Sequence, residues 1–169
     1  MDRVKSVKEL IKEMKDFSVL AIDLAYCSIL FNSKETASEV IKIAQKMEAL
    51  RTELEKTVLK AVTSGVDESQ LIGVLRLGDY VEGIGSIAGE MAKKAIEGKI
   101  HEVEKSALSE AEERFFRLKA DSELAKRTVQ EIGTLKNIWI IAIKRGREWI
   151  YNPTGKIVLK KGDIVFGRG

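Results

Sequence analysis

The feature that most constrains this chain is a change in the spacing of its apolar residues near position 114. Before that point apolar residues recur every three or four positions, whereas the closing stretch IIAIKRGREWIYNPTGKIVLKKGDIVFGRG alternates and is broken by glycine, asparagine and proline. The first spacing predicts helices and the second predicts strands. The sequence therefore predicts an α+β chain, with an N-terminal antiparallel helical bundle over 1–113 and a small α+β domain over 114–169. A length of 169 residues suits one or two such domains.

Three long helices are predicted, over residues 4–31, 34–63 and 68–97. Each has an apolar stripe, and Gly65 and Gly98 suit the left-handed position that ends a helix. A fourth helix over 99–114 has a thinner stripe and either packs on the others or acts as a spacer. Three long antiparallel helices joined by short turns imply an up-and-down bundle.

The β region is predicted to begin with a strand over 114–120 that places Phe116, Leu118 and Ala120 on one face. The remaining predicted elements are a short helix over 122–132 capped by Ser122, strands over 137–145 and 146–151 joined across Arg145 and Gly146, a short strand over 157–159 and a final strand over 164–168.

Composition excludes several classes of function. The 29 Lys and Arg residues nearly balance 26 Asp and Glu residues, so a nucleic-acid partner is not expected. No stretch reaches the ~18–20 apolar residues of a membrane span, and the charged N-terminus does not resemble a signal peptide. Because Cys27 is the single cysteine, it cannot form an internal disulfide, which favours a cytoplasmic protein.

Few residues suggest catalysis. The stretch GIGSIA matches a dinucleotide fingerprint formally, but it lies inside a helical pattern and not after a strand. Gly78, Gly85 and Gly89 are better explained by close helix packing. With one histidine and one cysteine, neither a typical zinc site nor a serine triad can be assembled, so an enzyme is not favoured.

Two sets of charged residues remain as candidate sites. Asp79 and Glu82, with Asp23, could supply carboxylates for a metal between helices, or they could be solvated surface. In the β region, Lys144 and Arg145 begin a basic turn. Basic donors beside exposed backbone amides suit a phosphate or carboxylate, although a solvated hairpin tip would have the same composition.

The closing stretch resembles the TrkA-C (RCK-C) regulatory domain of potassium-transport proteins. The pattern is an apolar strand ending in Ile-x-Arg, a hairpin, Asn-Pro, a Gly-Asp turn and a last strand. The matching residues are Ile143, Arg145, Asn152, Pro153, Gly162 and Asp163. Lys126 stands where the family usually has glycine. The family continues with a further helix, so the resemblance implies a domain that is truncated at its C-terminal end or whose end lies outside this sequence.

The helical part resembles an archaeal PhoU-like domain of the kind joined to TrkA-C, most clearly in LRLGDYVEGIGSIAGEM. The PhoU metal pattern places two acids four residues apart. Here Leu75 precedes Asp79 and Ala44 precedes Glu48 at that spacing, so each pair has lost one acid. The resemblance leaves Glu48 and Asp79 as weak metal ligands or packing groups, and a metal cofactor is not the leading expectation.

Together the resemblances imply a non-enzymatic cytoplasmic regulator of cation transport, with potassium as the leading candidate. They imply a homodimer that binds a small anionic ligand, cyclic di-AMP in some members, at the seam between its β units. Ile143, Arg145, Asn152 and Pro153 would line that site. The expected partner is a membrane cation channel or transporter, which could hold the protein at the membrane. The alternative is a PhoU-type regulator of phosphate uptake or signalling.

Overall fold

A computed structural model describes residues 5–62 and 67–169. Its helices are α1 (Val7–Leu30), α2 (Lys34–Val62), α3 (Glu68–Glu97), α4 (Glu102–Ser109) and α5 (Val129–Lys136). Its strands are β1 (Phe115–Lys119), β2 (Trp139–Arg145), β3 (Glu148–Tyr151) and β4 (Ile164–Arg168). The predicted α+β class, with an N-terminal bundle before a small sheet, is confirmed.

The three long helices begin and end close to the predicted residues. Ser6 caps α1, since its hydroxyl accepts the N–H of Glu9 while the Glu9 carboxylate accepts the N–H of Ser6. Gly98 ends α3 in the left-handed conformation, with φ +70°. The predictions that involve Val4, Thr63 and Gly65 fall outside the described residues.

Glycines on α3 allow α2 to pack closely against it. A Cβ at Gly78 would lie 2.6 Å from Leu54 Cδ2, and one at Gly85 would overlap the Met47 side chain. Both glycines are buried in the bundle. The predicted close packing of these α3 glycines is confirmed.

Helix α4 is shorter than the predicted 99–114. The chain from Glu110 onward leaves the helix and joins the sheet, where the backbone N–H groups of Arg114 and Gly169 each donate to the other residue's carbonyl. These two hydrogen bonds set the start of β1, so the helical pattern of the local sequence does not decide where the helix ends.

The helix predicted over 122–132, with Ser122 as its cap, was wrong in its start. Residues 122–126 form turns, because Asp121 Oδ1 accepts the N–H groups of Glu123 and Leu124. Helix α5 starts at Val129, after Thr128, whose hydroxyl and backbone N–H form a reciprocal cap with Glu131.

The predicted strand over 157–159 does not join the sheet. Its Val158 forms an isolated antiparallel bridge with Thr128. Backbone hydrogen bonds link Leu159 to Lys126 and Arg127. This segment therefore pairs with the chain that enters α5.

The sheet is antiparallel throughout, with strand order β1-β4-β2-β3. The pairing of β2 with β4 shifts between Ile140 and Ala142, where a bulge adds one residue. The final strand in the sequence therefore lies at the centre of the sheet, between β1 and β2.

The two faces of the sheet belong to different cores. Ile141, Ala142 and Phe166 are buried with the apolar residues of α1, α2 and α3. Ile143 and Val165 are buried on the other face with Ile132 of α5 and Leu159. The sheet is therefore a middle layer, with the bundle on one side and α5 on the other.

Candidate functional site

Arg145, one of the predicted ligand residues, lies at the end of β2 beside the two-residue turn that leads into β3. Its Nε donates to Asp163 Oδ1 at 3.0 Å, and its Nη2 donates to Asp163 Oδ2 at 2.7 Å and to the Val158 carbonyl at 2.9 Å. This two-point contact ties the β2–β3 turn to the turn before β4. Within the described chain Nη1 makes no hydrogen bond, so it is the part of the guanidinium that remains available.

Asp163 is the most buried acid of this region. Burial alone would raise its pKa, but hydrogen bonds from Arg145 and from the Lys160 backbone N–H outweigh burial and lower the pKa below its usual value. The same hydrogen bond to Asp163 raises the pKa of Arg145. The pair stays ionised at neutral pH and holds the two turns together.

Asn152 and Pro153 follow β3 at its opposite end. Asn152 adopts φ +42°, and its backbone N–H donates to the Ile141 carbonyl at 2.9 Å. Asn152 lies four positions after Glu148 at the hairpin tip, a distance of roughly 13 Å along the strand. Arg145 and Asn152 are therefore not gathered into one pocket of a single chain.

The two turn residues border different depressions. Asn152 and Tyr151 line an opening of about 440 Å³ against Glu13 and Phe17 of α1. Pro153 lines a smaller depression of about 270 Å³ with Gly133 of α5. Thus Asn152 faces the bundle side of the sheet and Pro153 the α5 side.

Ile143 is fully buried and does not line either depression. It pairs with Ile150 and Val165 within the sheet. In the single chain it contributes packing beneath the hairpin. The predicted ligand set of Ile143, Arg145, Asn152 and Pro153 stays a prediction.

The predicted metal residues Glu48 and Asp79 are exposed on α2 and α3. Asp79 Oδ1 accepts a hydrogen bond from Arg51 Nε at 2.6 Å. Across residues 5–62 and 67–169, no three His, Cys, Asp or Glu side chains lie together in a way that could hold a metal ion. A metal at Glu48 and Asp79 stays a prediction without such a cluster to support it.

Sequence reasoning missed a set of polar contacts between the sheet and the bundle. Tyr151 donates its hydroxyl hydrogen to Glu39 of α2, and Lys144 pairs with Glu35 at 2.8 Å. Tyr151 also packs edge-to-face on Phe17, with ring centroids 6.0 Å apart. The available signal was Glu39 itself, an acid beside the apolar stripe of α2 at Val40.

Burial at this interface changes two pKa values. Burial and then the hydrogen bond to Glu39 raise the pKa of Tyr151, so its hydroxyl stays protonated and donates. Burial also raises the pKa of Asp23 in α1 to about 6, although Arg168 of β4 lowers it and Glu113 raises it slightly. The contact from Arg168 Nη1 to Asp23 Oδ1 is 3.5 Å, which is long for an ion pair.

The comparison with protein families decides the assignment of the helical part. The PhoU domain matches residues 11–95, which is half of the chain. The chain belongs to the PhoU family. A TrkA-C domain follows it and matches residues 114–166, so the predicted PhoU and TrkA-C resemblances are confirmed, while the archaeal origin stays a prediction.

Two solved structures are similar to parts of this PhoU-family chain. One is the RCK C domain of the potassium transport protein KtrA in complex with cyclic di-AMP, with 35% identity and a TM-score of 0.32 over 40% of this chain and 80% of that one. The other is the GsuK RCK domain, with 20% identity and a TM-score of 0.32 over 54% of this chain and 21% of that one. A search of curated proteins found no match.

In the part of the chain that the structure describes, no helix is both long enough and apolar enough to cross a bilayer.

Proposed function

We propose that this chain is a non-enzymatic cytoplasmic regulator of potassium transport. In this proposal the TrkA-C domain binds a small anionic ligand, and the PhoU bundle passes the effect to a membrane cation channel or transporter. The family pair itself supports regulation, because both matched domains are regulatory. The observation that carries the proposal is the hydrogen bond from the Tyr151 hydroxyl to Glu39 of α2, because Tyr151 directly precedes the Asn152 turn.

Charge favours an anion at the hairpin end of the sheet. The Arg145–Asp163 contact brings the β2–β3 turn next to the turn at Lys160–Asp163, and Arg147 and Lys160 are both exposed there. Side chains with available N–H donors beside exposed turns suit phosphate groups. These cations support the proposal of an anionic ligand.

The distance between the predicted residues favours a ligand between two chains. Arg145 and Asn152 lie at opposite ends of β3, so one compact ligand cannot reach both within one β unit. A seam between the β units of a homodimer would offer each end to a ligand with two phosphates. Cyclic di-AMP has this form and is the ligand we would test.

Coupling to the bundle follows from the interface. A ligand that favours one position of the Asn152 turn also favours one position of Tyr151, its neighbour in the chain. Tyr151 contacts both α1 and α2, through Phe17 and Glu39. Such a ligand shifts the protein only by its difference in affinity for the two positions.

The test is calorimetric titration of the full chain with cyclic di-AMP, with ATP as the control. We expect saturable binding of one ligand per two chains for cyclic di-AMP alone. Absence of heat and of any thermal shift would contradict the ligand part of the proposal.

Two variants separate ligand contact from turn structure. Arg145→Ala should weaken binding roughly 10–100-fold, the loss of a charge-assisted hydrogen bond of about 1.5–3 kcal/mol. Asp163→Asn removes the charge that holds the Arg145 guanidinium but keeps the shape of the side chain at position 163. This variant should therefore retain its affinity for cyclic di-AMP if Arg145 contacts the ligand. Equal losses in both variants would assign the effect to the turn.

Tyr151→Phe tests the coupling. It removes the hydroxyl that reaches Glu39 but keeps the ring on Phe17, so ligand affinity should change little. Ligand-induced protection of α2 amides in hydrogen exchange should decrease. Unchanged protection would show that Tyr151 does not transmit the effect.

A regulator of phosphate uptake is the second candidate, because the PhoU match at 11–95 is the longer of the two domains. Deletion of the gene in its source organism separates the candidates. Altered rubidium uptake with normal phosphate uptake supports the potassium assignment, and the opposite result supports the phosphate assignment.

A further inference from the structure

One face of α3 carries an exposed apolar row that does not contact the bundle core. Its members, spaced by three and four residues, are Leu77, Tyr80, Ile84 and Ile87. Met91 continues the spacing, but it is half-buried and packs against the core. Tyr80 is 70% exposed and Ile87 is 61% exposed. This is the heptad spacing that α-helices use to pack on each other. A contiguous exposed row of this length marks an interaction surface.

We propose that two copies of the chain associate through this row, with α3 of one copy packed antiparallel on α3 of the other. This surface lies on the PhoU bundle and is separate from the expected seam between β units. The inference therefore does not depend on the proposed ligand or on the transporter.

Charge complementarity selects a second copy and its direction. Arg76 and Glu90 lie seven residues on either side of Gly83, so all three fall on the same flank of the row. In the described part of the chain Arg76 has no ion-pair partner, whereas Glu90 pairs with the exposed Lys93 of its own helix and would share that contact with Arg76 of the partner subunit. An antiparallel pair with Gly83 at its twofold axis brings each Arg76 to Glu90 of the partner subunit. A parallel pair would place like charges opposite each other, which is unfavourable.

The shape of the surface fits the same arrangement. A Cβ at Gly83 would meet no atom within 4 Å, so nothing blocks a close approach at the axis. Ile87 and Met91 also line an open groove of about 650 Å³ whose walls include Tyr26 of α1 and Leu108 of α4. Antiparallel packing places Leu77 of the partner subunit beside Ile87, at this groove.

Cysteine cross-linking of the full chain tests the axis. Gly83→Cys places a thiol where two copies meet, and the native Cys27 is buried and does not interfere. Gly73→Cys is the matched control, because a Cβ at Gly73 also meets no atom within 4 Å. In the antiparallel pair the two control thiols are about 30 Å apart, since each lies ten residues from the axis at 1.5 Å per residue.

We expect copper-phenanthroline oxidation to produce a covalent dimer from Gly83→Cys and almost none from Gly73→Cys. Comparable dimer from both variants would indicate parallel packing and would overturn the proposal. Failure of Gly83→Cys to cross-link, with helical circular dichroism intact, would also overturn it.

Further substitutions in the Gly83→Cys background test the contacts. Ile84→Glu should lower the cross-linking rate at least tenfold, whereas Leu59→Glu, at a 66% exposed apolar residue of α2, should leave it unchanged. Arg76→Glu and Glu90→Arg should each slow cross-linking, and the two together should restore it. Equal rates for Ile84→Glu and Leu59→Glu, or no restoration by the charge swap, would contradict the inferred pairing.

Discussion

Asp163 and Asp23 are both buried aspartates that face an arginine of the sheet, yet their pKa values move in opposite directions. Asp163 is 2% exposed and its pKa is lowered, whereas Asp23 is 5% exposed and its pKa is raised to about 6. Solvent exposure is therefore nearly the same at the two positions, but Asp23 lies deeper in the protein, so burial raises its pKa more strongly. This difference in depth and the contacts that each carboxylate accepts together explain the opposite directions.

Geometry separates the two pairs. Arg145 donates to both oxygens of Asp163, and the Lys160 N–H adds another bond at 2.8 Å. Arg168 reaches Asp23 at 3.5 Å and also pairs with Glu113 at 3.3 Å. Short, aligned donors stabilise the carboxylate more than burial destabilises it, and one long contact does not. The Arg145–Asp163 ion pair thus stays ionised and holds two turns of the β unit together. At the sheet–bundle interface, by contrast, Asp23 is readily protonated near pH 6.

The largest expected effect comes from breaking the fixed pair. Asp163→Ala leaves the Arg145 charge without its partner and should lower the free energy of unfolding by about 3 kcal/mol, near the lower end for a broken buried pair because Arg145 is partly exposed. Urea unfolding measures this loss. Glu123→Ala, at an exposed acid of the same domain, is the control and should stay within about 0.5 kcal/mol. A loss as small as that of the control would remove the contrast between the two aspartates.

A pH-dependent effect of intermediate size is expected at Asp23. Because folding raises its pKa from 3.8 to about 6, folding favours the protonated form. The stability that this form contributes is present at acidic pH and is lost as pH rises through that interval. Asp23→Asn keeps the group neutral, so its stability relative to the unmodified protein should rise by roughly 1–2 kcal/mol between pH 4 and pH 7, after allowance for solvent screening.

Urea unfolding at the two pH values measures this change. Asp163 has the opposite pH dependence, because folding lowers its pKa. The stability that its ionised form contributes to the protein is present at neutral pH and is lost as pH falls below the ordinary carboxyl range. A constant difference between Asp23→Asn and the unmodified protein would show that Asp23 does not titrate in this window.

The smallest expected effect is at Arg168. Arg168→Ala removes one long contact and should cost less than about 1 kcal/mol. It should also raise the pKa of Asp23 further, because Arg168 favours the ionised carboxylate. A carboxyl NMR titration measures that pKa. A lower pKa of Asp23 in this variant would contradict the role given to Arg168. A loss of unfolding free energy as large as that of Asp163→Ala would show that the Arg168–Asp23 pair is as strong as the Arg145–Asp163 pair.

Much of the fold follows from local sequence patterns. The apolar stripes place α1, α2 and α3 within a few residues, and Gly78 and Gly85 indicate where α2 approaches α3. The order of strands does not follow from such patterns. β4 lies between β1 and β2 because of long-range pairing, which alternation alone does not specify.

The candidate site was predictable as a set of residues but not as an arrangement. Arg145 and Asp163 both belong to the TrkA-C pattern, yet their pairing depends on how two turns meet. Tyr151 carries no sequence signal for its contact with Glu39, since 112 positions separate them. Ile143 lies in an alternating strand, and the bulge at Ile141 helps to set which strand residues face each core.

The central claim is that the sheet and the bundle form one packed unit, because Ile141, Ala142 and Phe166 share a core with the long helices. Both tryptophans of the chain, Trp139 and Trp149, lie in the sheet, so their fluorescence reports on the β unit. Far-ultraviolet circular dichroism reports mainly on the helices. Urea unfolding followed by both signals should give coincident transitions. Two separate midpoints, one for fluorescence and one for helical signal, would contradict the account.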